Sequence, residues 1–161
     1  MSGGPSDAEL ARFVRREARL IDEKRWDEWY ELFAGDGFYW VPAAAGQPAP
    51  LLHNSLAYED TLLLRLRVER LKSDRAFSLR PEIRSLHVMQ EPELEKRDDE
   101  RGEYLTRAPF IYTETRGDES QRYAATAWHT LVRSGSGLRI RLKRVDILNC
   151  DAPLPSIQLF L

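Results

Sequence analysis

Cysteine is nearly absent from this chain: Cys150 stands alone among 161 residues. A single thiol excludes an internal disulfide, and with it a disulfide-stapled secreted scaffold, which fits a reducing compartment. It also excludes an iron–sulfur cluster, since even the mixed kind needs two cysteines and two histidines. Histidine is sparse as well. His53, His87 and His129 stand far apart and show no short metal-ligand spacing, so a mononuclear iron site would have to be assembled by the fold. Lysine is scarce beside arginine, 4 against 20. The planar guanidinium suits interface ion pairs, and genomic base composition explains the bias equally well.

No run of about 18 apolar residues is present to span a bilayer, and the opening MSGGPSDAEL lacks the apolar core of a secretion signal. A net charge of -2 and a pI near 6.0 give no general attraction to nucleic acid or to an anionic membrane. The expectation is a cytoplasmic protein with neither as a partner. Its 161 residues, 42% hydrophobic, predict one domain over residues 1–161, with residues 1–6 flexible.

What is present is patterned. Ser6-Asp7-Ala8-Glu9 is a capping box that starts a helix carrying Leu10, Phe13, Val14, Ala18 and Ile21 inward and Arg12, Arg15, Arg16 and Arg19 outward. Trp26, Trp29, Tyr30 and Phe33 follow at the spacing of one helical face, predicting a second helix that Ala34-Gly35-Asp36-Gly37 stops. Phe38 to Val41 then reads as a strand closed by Pro42. AAAGQPAP, residues 43–50, is a loop and a candidate contact loop. A third helix is expected from about Tyr58 to Lys72, with Leu64, Val68 and Leu71 on one stripe. Leu62, Leu63 and Leu66 widen that stripe toward a second, arginine-rimmed surface that suits an interface.

The second half reads as strands at about Ile83–Gln90, Glu103–Arg116, Gln121–Val132 and Leu138–Leu148, with a short last one at Ile157–Leu161. Gly117-Asp118-Glu119-Ser120 and Ser134-Gly135-Ser136-Gly137 are hairpin turns, so the long strands form an antiparallel meander. Alternation through Leu138, Ile140 and Leu142 resumes out of phase at Val145 and Ile147, which predicts a bulge near Lys143 and Arg144 and a bent sheet. The class is therefore α+β, with three helices on the concave side of the sheet. The apolar end must be docked, by default within the same sheet.

A roofed, bent sheet makes a pocket, and a pocket can carry a dehydratase or isomerase that needs only a positioned acid and base. The candidate residues are Tyr39, His87, His129 and Asp146. A histidine beside a tyrosine and an aspartate could abstract a proton near neutral pH, although a structural role is the commoner fate of each histidine. The tryptophan and tyrosine cluster is ordinary core by the same reasoning, and the arginine clusters lack a glycine-rich turn to make a phosphate site.

Several stretches in order carry a family resemblance: Leu20-Ile21-Asp22-Glu23, Trp26-x-x-Trp29-Tyr30-x-Leu32-Phe33, Asp36-Gly37-x-Tyr39-Trp40-Val41-Pro42, Tyr58-Glu59-Asp60 and the leucine–arginine run to Leu71. Ala76-Phe77, Pro81, Leu138 to Leu148 and the tail Ile157 to Leu161 continue it. The chain resembles the beta (small) subunit of bacterial Rieske-type aromatic-ring-hydroxylating dioxygenases. That resemblance implies a nuclear transport factor 2-like cone without a catalytic residue, metal or cofactor of its own. It further implies an alpha subunit that holds the Rieske cluster and a mononuclear iron, and a hexamer of three alpha and three beta chains in aromatic compound catabolism. One departure stands out: where the family pattern has a Ser-Asn dipeptide, this chain has Arg84-Ser85-Leu86-His87. The competing expectation is the free-standing dehydratase or isomerase described above.

Overall fold

The structure, a computed structural model, describes residues 3–51, 53–73 and 81–161; Ala76 and Phe77, part of the resemblance, lie outside the described residues. Helix α1 spans Asp7–Asp22 and begins on the expected capping box. Ser6 N donates to Glu9 Oε2 at 2.7 Å and Glu9 N donates to Ser6 Oγ at 3.2 Å, so two first-turn amides gain partners. Just upstream, the Gly4 backbone lies so close to Asp99 Oδ1 and Tyr104 Oη that an added Cβ would sit 2.0 and 2.7 Å from them.

Helix α2 is shorter than expected, Trp26–Tyr30. Phe33 already belongs to strand β1, Phe33–Pro42, so the shared helical face does not reach it. The spacing misled because a turn after Tyr30 returns Phe33 to the same core, where its ring meets Trp29 edge to face at 5.0 Å. Ala34 to Gly37 are accordingly not a helix stop. They form the irregularity in β1 between Phe33 and Phe38.

Tyr58 to Asp60 is the other correction. Strand β2, Ser55–Asp60, pairs antiparallel with β1, and helix α3, Thr61–Lys72, starts where Asp60 Oδ1 accepts from Leu63 N at 2.9 Å. A good cap, not the apolar periodicity, sets that boundary. Leu64 and Val68 are buried, whereas Leu62, Leu63 and Leu66 are exposed.

Strands β3 (Ile83–Met89), β4 (Glu93–Asp98), β5 (Glu103–Arg116), β6 (Glu119–Ser134) and β7 (Gly137–Ile147) complete a mixed, curved and unclosed sheet in the order β2-β1-β7-β6-β5-β3. Strand β5 is long enough to pair β4 with its first half and β3 with its second. The β5–β6 and β6–β7 hairpins turn in two residues each. Gly117 and Gly135 take positive φ of 61° and 59° at the first turn position, where glycine alone is unstrained. β1 joins β7 in parallel, against the antiparallel rule of the rest.

The bulge in β7 lies ahead of its expected place. Thr130 pairs with Leu142 and Leu131 with Ile140, so Arg141 is the extra residue. Lys143, not an apolar side chain, then turns inward, and that buried lysine made the slip read late. The tail is docked, but not as a strand: residues 157–161 have no ladder, and Leu159, Phe160 and Leu161 are buried. Helix α1 packs on β3 and β4 and α2 on α3, which roofs one face of the sheet.

Candidate functional site

Helix α1 turns Glu17 inward on the stripe of Leu10, Val14 and Ile21, and beneath the roof it meets β6 and β7. Its carboxylate accepts from Trp29 Nε1 at 2.8 Å and Lys143 Nζ at 2.9 Å, and His129 Nε2 lies 2.8 Å from its second oxygen. Lys143 also donates to the Leu161 main-chain oxygen. Burial alone would raise the Glu17 pKa, yet Lys143 and His129 hold it well below the carboxylate range. Burial draws both His129 and Lys143 below their ordinary values, with Glu17 opposing. A neutral His129 that donates from Nε2 leaves Nδ1 with a lone pair, and Nδ1 has no partner among the described residues.

A second cluster lies at the end of α1. Asp22 Oδ2 accepts from His87 N at 2.8 Å, and Oδ1 lies 2.7 Å from His87 Nδ1 and accepts from Ser85 Oγ at 3.0 Å. The His87 ring is wedged between Phe110 and Tyr112, with centroids 5.5 and 4.9 Å away, and its Nε2 is buried without a partner among the described residues. Both His87 and His129 thus face the interior, on the strand side that also carries Tyr112 and Ala127.

The third feature is the tail. Leu161 N donates to Tyr39 Oη at 3.1 Å, Arg67 Nη2 donates to the Leu159 oxygen at 2.7 Å, and Glu114 accepts from Leu159 N at 3.0 Å and Gln158 N at 3.2 Å. Burial pushes the Tyr39 hydroxyl above the ordinary tyrosine range, which leaves it protonated and unsuited to serve as a base. The Phe160 ring stacks on Trp29 at 4.1 Å and meets Trp26 and Tyr39 with its edges.

Asp146 takes no part in any of these. It projects from the opposite face of the sheet, where Arg144 Nε donates to it at 3.0 Å. On that face Trp40, Arg144, Trp128 and Arg107 sit side by side across four strands, with Arg144 4.4 Å from the Trp40 ring and Arg107 5.8 Å from the Trp128 ring. Beside this row Val88 pairs with Ile111, Ile111 with Ala124, and Leu148 N donates to the Ala124 oxygen. These residues line a groove of about 700 Å³ whose Val88 and Leu148 are largely exposed.

Of the four candidate residues, His129 and Tyr39 therefore border one buried network through Lys143 and Leu161, His87 belongs to another, and Asp146 is outside. The residues that organise the interior, Glu17, Lys143, Asp22, Arg67 and Glu114, were not among the candidates. Glu17 was within reach, since it occupies the same helical stripe as Leu10, Val14 and Ile21. Among the described residues no three of His, Cys, Asp and Glu come together as a metal-binding group.

Comparison with known proteins agrees with the resemblance. A family model described as "Ring hydroxylating beta subunit" matches residues 16–152. The 2-halobenzoate 1,2-dioxygenase small subunit of Burkholderia cepacia is 34% identical over 146 residues, which cover 88% of this chain and 87% of that one. The crystal structure of the benzoate 1,2-dioxygenase beta subunit from Burkholderia mallei superimposes with a TM-score of 0.78 at 26% identity, covering 98% of this chain and 99% of that one. A nuclear transport factor 2-like protein from Novosphingobium aromaticivorans superimposes with a TM-score of 0.61 over 88% of this chain and 81% of that one; at 13% identity it shares the fold alone.

Proposed function

Because the chain belongs to the ring-hydroxylating beta-subunit family, we propose that it is the non-catalytic beta subunit of an aromatic-ring-hydroxylating dioxygenase, acting as one domain in the assembly of that enzyme. The alpha subunit supplies the Rieske cluster and the mononuclear iron, receives electrons that began on a reduced nicotinamide cofactor, and adds dioxygen to the ring. Three beta chains stand under three alpha chains in the cytoplasm, and the enzyme serves aromatic compound catabolism. The small subunit of the 2-halobenzoate enzyme is one of the relatives that support an aromatic-acid substrate class.

The observation that carries this reading is the occupied interior. Phe160 and Leu161 fill the space between the Trp29 ring and Lys143, and Glu17, His129 and Lys143 bond to one another and to the tail. An acid and base that act on substrate need an open approach. Tyr39, His87, His129 and Asp146 do not converge on one, which disfavours the free-standing dehydratase. Among the described residues, the exposed apolar surfaces open to a partner include the α3 leucines and the groove of Val88, Ile111 and Leu148.

Co-expression with a chain that carries a Cys-x-His and Cys-x-x-His cluster motif tests the assignment. Co-purification of the two with iron and colour is the expected result. Turnover of a small molecule by the lone purified chain, abolished by joint replacement of His87 and His129, overturns it, as does stoichiometric iron held by this chain's own side chains.

A further inference from the structure

Apart from Leu51 and Leu56, the large apolar side chains left exposed among the described residues fall in two places. Leu62, Leu63 and Leu66 stand on the outer side of α3. Leu86, Val88, Ile111 and Leu148 lie on the opposite face of the sheet, the last three in the groove of about 700 Å³. The two places differ in shape. Leu62, Leu66 and Arg70 follow one another at single-turn steps with Leu63 on their flank, which makes a ridge along one helix. The groove is walled by β3, β5, β6 and the end of β7. They differ in charge as well. On α3, Arg65 pairs with Glu69, Arg67 with Glu59 and Lys72 with Asp27, whereas Arg70 has no ion pair among the described residues. In the groove Arg144 is taken by Asp146, and Asp151, exposed beside the Cys150 wall, has no ion pair among the described residues.

We propose that these two surfaces meet between copies of this chain: the α3 ridge of one copy lies in the sheet groove of the next, and three copies close a head-to-tail ring. The inference rests on the reading that three such chains stand together, and it names the surfaces that join them. A helix enters a groove by side chains about one turn apart, as Leu62, Leu66 and Arg70 are. Ridge against ridge would bring basic side chains together, and groove against groove would do the same for Asp151. The unlike pairing instead brings Arg70 toward Asp151 and covers both apolar surfaces at once. Helix α3 lies on the roofed side of the sheet and the groove on the other, so no chain covers its own groove. The contact therefore repeats from copy to copy until the ring closes.

Sedimentation of the full-length chain alone, with no alpha subunit present, tests the ring. At high concentration the unsubstituted chain is expected to sediment as three copies. Leu66→Glu and Val88→Glu are each expected to sediment as one, since either puts a carboxylate into an apolar contact. Mixing the two variants is expected to give pairs that grow no further, because the groove of the first and the ridge of the second are intact. Circular dichroism and unfolding at low concentration are the folding controls; where a variant does not fold, Leu62→Glu or Leu148→Glu takes its place. An unsubstituted chain that sediments as anything but three copies overturns the proposal. So does a folded variant that still associates by itself, or a mixture that forms no pairs. None of these failures alters co-purification with an iron-bearing chain, so the ring and the dioxygenase assignment fall separately.

Discussion

Lys143 Nζ lies 2.8 Å from Glu17 Oε1, a contact between β7 and α1 in which the side chains are 3% and 1% exposed. A surface pair at this distance would matter little, but here neither partner has water to fall back on. The pair ties the roof to the sheet at the point where the bulge at Arg141 has turned the strand over.

Lys143→Met leaves Glu17 as a buried anion facing only neutral donors. The expected loss is about 3–5 kcal/mol, read from the urea midpoint. The double variant Lys143→Met with Glu17→Leu removes both charges but is expected to recover only part of that loss, because Trp29 Nε1, His129 Nε2 and the Leu161 oxygen then lose their buried partners.

Stability should fall on the acid side in two stages. Burial holds His129 below its ordinary 6.5, so the unfolded chain takes up a proton there that the folded protein refuses. That contribution is complete above 6.5 and is lost as the pH drops below it. Glu17 is held well below 4.5 by Lys143 and His129 against the effect of burial, so its contribution begins to be lost only as the pH falls through 4.5. His129→Gln keeps a donor toward Glu17 and does not titrate. Its urea midpoint should decline less than that of the unsubstituted protein between about pH 7.5 and pH 5.5.

Asp22→Ala withdraws acceptors from the His87 amide, the His87 ring and the Ser85 hydroxyl at once. The expected cost is about 2–4 kcal/mol, since all three donors lie in a part-buried site. Loss of hydrogen-exchange protection at the His87 amide, larger than at neighbouring β3 amides, is the local readout.

At Gly37 an added Cβ would sit 2.7 Å from the Ile140 oxygen and 2.9 Å from the Ala34 oxygen, both backbone atoms that cannot swing aside. Gly37→Ala should destabilise by about 1–3 kcal/mol by forcing β1 from β7, whereas Gly35→Ala, which meets nothing, should be tolerated far better.

Leu66 and Val88 are exposed in the isolated chain, so Leu66→Glu and Val88→Glu should each change unfolding stability by no more than about 0.5 kcal/mol. If the α3 face or the sheet groove docks to the alpha subunit, at least one of these changes reduces co-purification with it while the Tm holds.

The legible parts of the chain were those governed by neighbours in sequence. Ser6 and Glu9 announce a helix start, and Gly117 and Gly135 announce two-residue turns, because the physics of each lies within four residues. Helix α2 was overdrawn since Phe33 reaches the Trp29 ring through a turn that happens to mimic helical spacing. The end of strand β2, Tyr58 to Asp60, falls within the helix expected from about Tyr58 because those residues have no alternation strong enough to resist the leucine run that follows. Strand β4 went unread because Glu93–Asp98 is almost wholly polar; what makes it a strand is the unpaired first half of β5. Nothing local in the sequence marks Lys143 or Glu17 as buried, and only the joint placement of α1 and the Arg141 bulge makes them partners.

The parallel pairing of β1 with β7 has a consequence for biosynthesis. Residues 33–42 emerge from the ribosome more than ninety positions before their partners at 137–147, and Trp26 and Trp29 wait longer still for Phe160. Through that interval the nascent helices leave tryptophan bare, a form open to capture by chaperones or to aggregation. Completion of the cone thus waits on the segment that carries Phe160, and any subunit that recognises the finished surface must engage it after that segment has docked.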